Sequence, residues 1–173
     1  MNHYEFAQKL EQHKNTVYRL SFSYLKNIQE AEDITQEVFL KLYCCDIDFP
    51  EPVNEKAWLI RVTVNMCKNR FRKNKFMKAV PFDENAFAHE TPGFVESDIE
   101  TLELLSALKP KYRTVLYLFY YERYTTREIS ELLGKNENTI RCQLMRGREQ
   151  LREILTEDFK TEQKGGVIYG QQI

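Results

Sequence analysis

The stretch TTREISELLGKNENTIRCQLMRGREQL, residues 125–151, decides how the chain is read. Thr125 and Glu128 stand three apart, the spacing of a capping box, so a helix begins there. Ile129, Leu132 and Leu133 give it one apolar side. Gly134 ends it, because glycine enters the left-handed C-cap conformation without a side-chain penalty. Asn136 caps a second helix, whose inner face carries Ile140 and Leu144. Ser130 is the small residue placed where the two helices cross, and Ile140 is the branched anchor early in the second. That is the grammar of a helix-turn-helix. The outer face of the second helix then offers Asn138, Thr139, Arg141, Cys142, Gln143, Arg146 and Arg148. Such side chains include the donors and acceptors that read base edges and phosphates. On these residues alone a plain helical hairpin is the competing reading.

Working back toward the N-terminus, residues 98–124 split at Pro110. A helix over 96–108 turns Ile99, Leu102, Leu105 and Leu108 inward. Pro110 suits the first turn of the next. That helix is crowded with Tyr112, Tyr117, Phe119, Tyr120, Tyr121 and Tyr124, read as core and edge, since tyrosine tolerates partial exposure. Between Val80 and Glu103 there are seven acids and no lysine or arginine. Two prolines, a glycine and no clear period mark residues 76–97 as a flexible acidic linker.

On its other side the pattern is helical again. Residues 4–26 repeat apolar positions near the helical period, and Asn27 breaks them. In IQEAEDITQEVFLKLYCC, Ile34, Val38 and Leu42 face a core. Asp33, Gln36, Glu37 and Leu40 share another face, an acidic one with an apolar centre. From Asn27 to Leu40 there are four acids and no base. A solvated face would carry the acids. A partner helix bearing arginines would also want the leucine. After a loop over 46–55, the helix containing AWLIRVTVNMCKNRFRK inverts the pattern. It is apolar nearly all round, with Arg61, Asn65, Lys68 and Arg72 in one polar stripe and Asn69 beside it. Six bases and no acid lie between Arg61 and Lys75. Lysines and arginines suit a helix C-terminus, but a stripe reaching back to Arg61 suits the backbone and unstacked bases of melted nucleic acid.

Composition bounds the rest. The chain has 173 residues, net charge −1 and 42% hydrophobic residues, enough to build a core. A near-neutral balance argues against nonspecific binding over the whole surface, so any DNA contact must be local. Cys44, Cys45, Cys67 and Cys142 form no CxxC pair, so neither a zinc site nor another cofactor is expected. No apolar run approaches the roughly 20 residues that cross a bilayer, and no signal core opens the chain, so membrane insertion is not expected and the cytoplasm is. There is no Gly-rich phosphate loop. His3, His13 and His89 are scattered, and no catalytic group assembles, so an enzyme is not expected.

Three stretches in order carry a family likeness: AEDITQEVFLKLY, AWLIRVTVNMCKNRFRK, and LKPKYRTVLYLFYYERYTTREISELLGKNENTIRCQLMRGREQLREIL. Together they resemble the extracytoplasmic-function (group 4) sigma factors of bacterial RNA polymerase, over roughly residues 5–155. The resemblance implies an all-α chain of two small helical domains joined by the flexible acidic linker: region 2 over 1–75, the linker over 76–97, region 4 with its helix-turn-helix over 98–158, and a disordered tail over 159–173. It implies that Asp33, Gln36, Glu37 and Leu40 dock on the clamp of the largest subunit of core RNA polymerase. It implies that Arg61, Asn65, Lys68, Asn69 and Arg72 face the −10 element of promoter DNA, where a base is flipped out. Asn138, Thr139, Arg141, Cys142, Gln143, Arg146 and Arg148 are implied to enter the −35 major groove. The start of region 4 would pack partly on the flap of the second large subunit, and a separate anti-sigma factor would supply control. Asn138 stands where many members have glycine, and Cys142 and Gln143 where serine and arginine are frequent, so the −35 preference is expected to be its own.

Overall fold

The computed structural model describes residues 2–45, 47, 49, 51–76, 104, 105 and 107–165. Among them all regular structure is helical. Helix α1 spans His3–Leu25, α2 Ile28–Cys44, α3 Pro52–Phe76 and α4 Pro110–Leu116. A π-helical segment follows over Tyr117–Tyr121, then α5 over Thr126–Leu133 and α6 over Glu137–Gly165.

Local chemistry sets the joints. The Asn2 side chain accepts the Glu5 N–H at 2.8 Å and starts α1. Lys26 closes it in the left-handed region, at φ 57°, and its N–H returns to Phe22 O. Asn27 then caps α2 by accepting the Glu30 N–H at 2.9 Å. A two-residue joint therefore turns the chain, because one residue stops a helix while the next satisfies the free N–H groups of another. The third helix begins three residues ahead of the sequence reading, at Pro52, since proline fits a first turn whose N–H groups have no intrahelical partner. Glu55, in that turn, is buried and bonds both Lys9 and His13 of α1 (His13 Nε2 at 3.3 Å). Burial holds the His13 pKa below its ordinary value, against the pull of Glu55.

Helices α1, α2 and α3 enclose one apolar cluster, with Val17, Ile34, Val38, Phe39, Leu42, Leu59 and Cys67 all buried. The inward residues read from α2 (Ile34, Val38 and Leu42) are there. A second cluster joins the two halves of the chain. Leu20, Phe22, Ile60 and Val64 pack with Leu105, Leu108, Val115, Leu116, Ile129, Ile140 and Leu144. Arg113 of α4 seals that contact. Its Nε donates to Leu105 O at 2.8 Å and its Nη2 to Leu108 O at 2.6 Å. Its Nη1 reaches Ser23 O and Tyr24 O in the last turn of α1. That turn carries no basic residue of its own, so the guanidinium of another helix meets the negative end of its dipole. Burial lowers the Arg113 pKa to about 10. At the rim, Lys56 pairs with Glu122 at 2.7 Å and the Arg19 guanidinium lies 5.2 Å from the Tyr121 ring centre.

Four local readings are corrected or fall outside the described residues. The helix expected through Tyr124 is α-helical only to Leu116. The chain then widens, with the Glu122 N–H returning to Tyr117 O. This places Tyr117 fully inside and leaves Tyr120 exposed. The tail expected to be disordered from 159 is helical to Gly165, because lysine, glutamate and glutamine propagate α6 until two glycines are met. Of the linker expected over 76–97, Phe76 ends α3 and residues 77–97 lie outside the described residues. So does most of the helix expected over 96–108, of which Leu105 and Leu108 are seen buried.

Gly147 sets how closely α6 and α4 approach. A Cβ there would sit 2.9 Å from Leu116 Cδ1 and 3.3 Å from Tyr112 Cβ. We expect Gly147→Val to destabilise the fold by about 1–3 kcal/mol through overpacking. In calorimetry that is a melting point several degrees lower; an unchanged melt would show that the contact relaxes freely.

Candidate nucleic-acid interface

The helix-turn-helix forms as its sequence dictates. The Thr125 Oγ1 accepts the Glu128 N–H at 3.3 Å, while the Glu128 carboxylate accepts the Thr125 N–H at 2.7 Å. The Thr125 hydroxyl, which also donates to that carboxylate at 2.7 Å, and then the Thr125 N–H hold the Glu128 pKa below its ordinary value. Gly134 sits at φ 60°, and the N–H groups of Gly134 and Lys135 both return to Ser130 O. Asn136 Oδ1 accepts the Asn138 N–H at 2.9 Å and starts α6. Ile129, Ile140 and Leu144 are buried, so the opposite side of α6 is presented outward.

Of the seven expected reading residues, Asn138, Thr139, Arg141, Cys142 and Arg146 are exposed near the start of α6, and Gln143 is half-buried. Arg141 is preset. Its Nη2 and Nε lie 2.8 and 3.2 Å from Glu137 Oε1, which also accepts the Thr126 hydroxyl at 2.8 Å. The Thr126 bond, then Arg141, holds the Glu137 pKa low. The Arg146 guanidinium bonds the Tyr112 hydroxyl and draws its pKa down. Arg148 stands apart. Its guanidinium lies 5.5 and 5.4 Å from the Phe119 and Tyr120 ring centres. With Leu116, Leu151 and Leu155 it lines an open apolar groove of about 340 Å³.

On α3, Arg61, Asn65, Asn69 and Arg72 are exposed along one side, with Lys68 half-buried among them. Burial, then the neighbouring Arg72, lowers the Lys68 pKa. The structure therefore brings the stripe together as the spacing requires. It also sets the stripe against α5: Arg61 Nη2 is 3.5 Å from Glu131 O. Lys135 lies near enough to Lys68 for its charge, after burial, to help lower the Lys135 pKa. Asp33, Gln36, Glu37 and Leu40 are all exposed on α2. Leu40 shows 62% of its surface while Leu42 shows 2%, so Leu40 is left outside by geometry.

Two features escaped the sequence reading. Tyr43, one turn on from Leu40 along α2, and Ile47, just past the helix end, are also exposed; the i, i+3 spacing of Leu40 and Tyr43 could have been noticed. Arg70, counted within the basic run, bonds Glu37 Oε1 at 2.7 Å instead of joining the stripe. No nearby sequence signal marks that pair.

A three-helix unit with a basic stripe, followed by a helix-turn-helix packed on it, defines the two-part class of promoter-recognition factors. The family model described as Sigma-70 region 2 matches residues 10–77, and that described as Sigma-70, region 4 matches residues 99–151. The chain is 30% identical over 146 residues to the RNA polymerase sigma factor SigV of Bacillus subtilis, covering 84% of this chain and 88% of that one. It is 32% identical over 165 residues to the ECF RNA polymerase sigma factor SigW of the same organism, covering 87% and 88%. The chain belongs to the sigma-70 family, in its ECF group. In fold it is similar to the sigma factor RpoE of Bartonella quintana, solved with the anti-sigma factor NepR: TM-score 0.70, 20% identity, 88% of this chain and 97% of that one. It is also similar to CnrH, solved with the cytosolic domain of CnrY: TM-score 0.64, 20% identity, 91% of each chain.

Proposed function

We propose that this sigma factor directs promoter-specific transcription initiation through three separate faces, on helices whose other sides are buried. Asp33, Gln36, Glu37 and Leu40 dock on the clamp of the largest subunit of core RNA polymerase, acids meeting arginines around a leucine that fills an apolar contact. The outward side of α6 enters the −35 major groove, with Asn138, Thr139, Arg141, Cys142, Gln143 and Arg146 at the base edges and phosphates. Arg148, held against two rings, serves the groove wall at the flank. Arg61, Asn65, Lys68, Asn69 and Arg72 take the opened −10 strand, bases against amides and phosphates against charge. The protein itself breaks and makes no covalent bond. Opening is driven by binding the unstacked strand, at a cost of a few kcal/mol per base step. No cofactor enters this scheme.

The observation that carries the reading is the exposure of Leu40, of the α3 stripe and of the α6 face on three helices that each bury their opposite side. No helix among the described residues is long and apolar enough to cross a membrane, which suits a factor working on cytoplasmic DNA. The family's architecture supports region 2 over 1–75, the linker over 76–97 and region 4 over 98–158. The apolar groove beside Tyr120 and Leu155 suits the flap of the second large subunit, and control falls to a separate anti-sigma factor.

The two DNA faces are too close here to read one promoter. Elements centred about 25 base pairs apart are separated by roughly 85 Å of duplex, at 3.4 Å per pair. The Arg61 contact with α5 leaves only about a helix diameter or two, some 10–20 Å, between the stripe and the reading helix. The halves therefore part when both elements are engaged.

In-vitro transcription with added core polymerase on a genomic library tests the whole reading. Promoter-specific transcripts with shared −35 and −10 motifs are expected. Protection of one operator without polymerase, and no transcripts with it, would identify a stand-alone DNA regulator instead. Within that assay, Arg141→Ala is expected to weaken −35-dependent promoters by about 1–3 kcal/mol, the value of a bidentate contact to guanine. An unaltered −35 preference would remove Arg141 from the reading set.

A further inference from the structure

Arg70 belongs by sequence to the basic run of α3, but its side chain leaves that face and crosses to α2. Its Nη2 bonds Glu37 Oε1 at 2.7 Å, and its Nη1 stands 3.8 Å from Asp33 Oδ2. Among the described bases of the run from Arg61, it alone pairs with a carboxylate. The two acids it holds are ones assigned above to core polymerase. Its sequence neighbours Asn69 and Arg72 are assigned to the opened strand. Arg70 thus lies where the two surfaces meet.

The acids cannot serve two cations in full. An incoming arginine that takes Glu37 bidentately needs both carboxylate oxygens, including the Oε1 that Arg70 holds. The exchange is close to balanced. Asp33 and Glu37 are each at least half exposed, and ion pairs at that exposure contribute little. Room exists for the displaced side chain. An open groove of about 560 Å³ between α2 and α3 is lined by Ile34, Glu37, Met66, Asn69, Arg70 and Lys73. The arginine can swing through it without disturbing the buried cluster below. A phosphate of a strand held along Asn69 and Arg72 would offer it a new counter-charge.

We propose that Arg70 couples polymerase docking to strand capture. In the free protein it occupies Asp33 and Glu37. On docking it yields them to arginines of the polymerase and neutralises one phosphate of the opened strand. Coupling of this kind is reciprocal, so captured DNA also tightens the grip on polymerase. The proposal rests on the assignment of the α2 face to polymerase.

The test uses the full chain and Arg70→Ala. Titration of the labelled protein with core polymerase, without DNA, is expected to show about 2- to 5-fold tighter binding than wild type, since the acids are freed from a weak internal pair. The holoenzyme's affinity for a pre-opened −10 fork is expected to fall. Its slope of log K against log salt concentration is expected to flatten by about 0.7, one single-strand phosphate. Arg70→Lys keeps the charge and is expected to restore the slope. Unchanged or weaker polymerase binding by Arg70→Ala would make Arg70 a strut between helices and overturn the proposal. So would an unchanged salt slope. Failure of the underlying assignment registers separately, as wild-type polymerase binding by Leu40→Asp. The Arg70 outcomes are therefore read in a series where Leu40→Asp has lost assembly.

Discussion

Leu40→Asp is expected to abolish holoenzyme assembly and leave the melting curve of the free protein unchanged. The second half follows from burial. Leu40 shows 62% of its surface to solvent, so an aspartate there gives up little packing, and surface substitutions commonly stay within about 0.5 kcal/mol. The first half follows from its neighbours. Asp33, Gln36 and Glu37 share the face of Leu40 as acceptors, and Tyr43, one turn on, is an exposed apolar neighbour. A partner covering this face removes the leucine from water, and an aspartate in its place would be a buried charge beside Glu37. Truncating a central anchor costs about 2 kcal/mol or more. Burying an unpaired carboxylate adds several more, which takes binding below detection at micromolar concentrations. Co-elution with core polymerase, scored against a thermal melt, checks both halves. Wild-type co-elution would make Leu40 a bystander and move the docking site off α2.

The helix-turn-helix was legible because all its determinants are local. The Thr125–Glu128 box, Gly134 and Asn136 act within four residues of themselves, and the structure shows each bond they imply. The inner and outer sides of α2 were legible for a similar reason, since one period sorts Leu42 from Leu40. What the sequence hid are contacts between side chains and distant backbone. Arg113 reads as an ordinary charge near the start of an aromatic helix. Its partners are carbonyls of residues 23 and 24, about 90 positions away, and a carbonyl carries no side-chain signature. Arg70 was absorbed into a basic run because its acid lies 33 residues upstream. The widening at Tyr117 was likewise invisible, as a run of aromatics does not state which ring turns inward.

Arg113→Met is expected to lower the melting point sharply and to let the two halves separate. The substitution keeps the approximate volume and removes the donors. Leu105 O, Leu108 O and Ser23 O then lose a partner at buried positions, and Tyr24 O at a part-buried one, while the halves are closed. Each buried acceptor left unsatisfied costs about 1–3 kcal/mol, so a loss of at least about 3 kcal/mol is expected. At roughly 2–4 °C per kcal/mol for a chain of this size, that is a fall of some 6–12 °C. The carbonyls of α1 can escape the penalty by meeting water, and that requires α4 to leave α1. Calorimetry should therefore show the single transition splitting in two, and small-angle scattering a larger radius. Lys56→Glu is the milder companion. It opposes Glu122 across the same seam, at a pair now 2.7 Å apart, while leaving Arg113 and both apolar clusters in place. The buried Glu122 carboxylate then faces a second one, so the molecule is expected to expand with a melting point a few degrees lower, about 2–4 °C per kcal/mol lost. Both variants should still initiate transcription with core polymerase, because the closed contact must open before two elements some 85 Å apart are read together. A melting curve for Arg113→Met within a degree of wild type, or an unchanged radius for both variants, would show that the halves are not held by this seam.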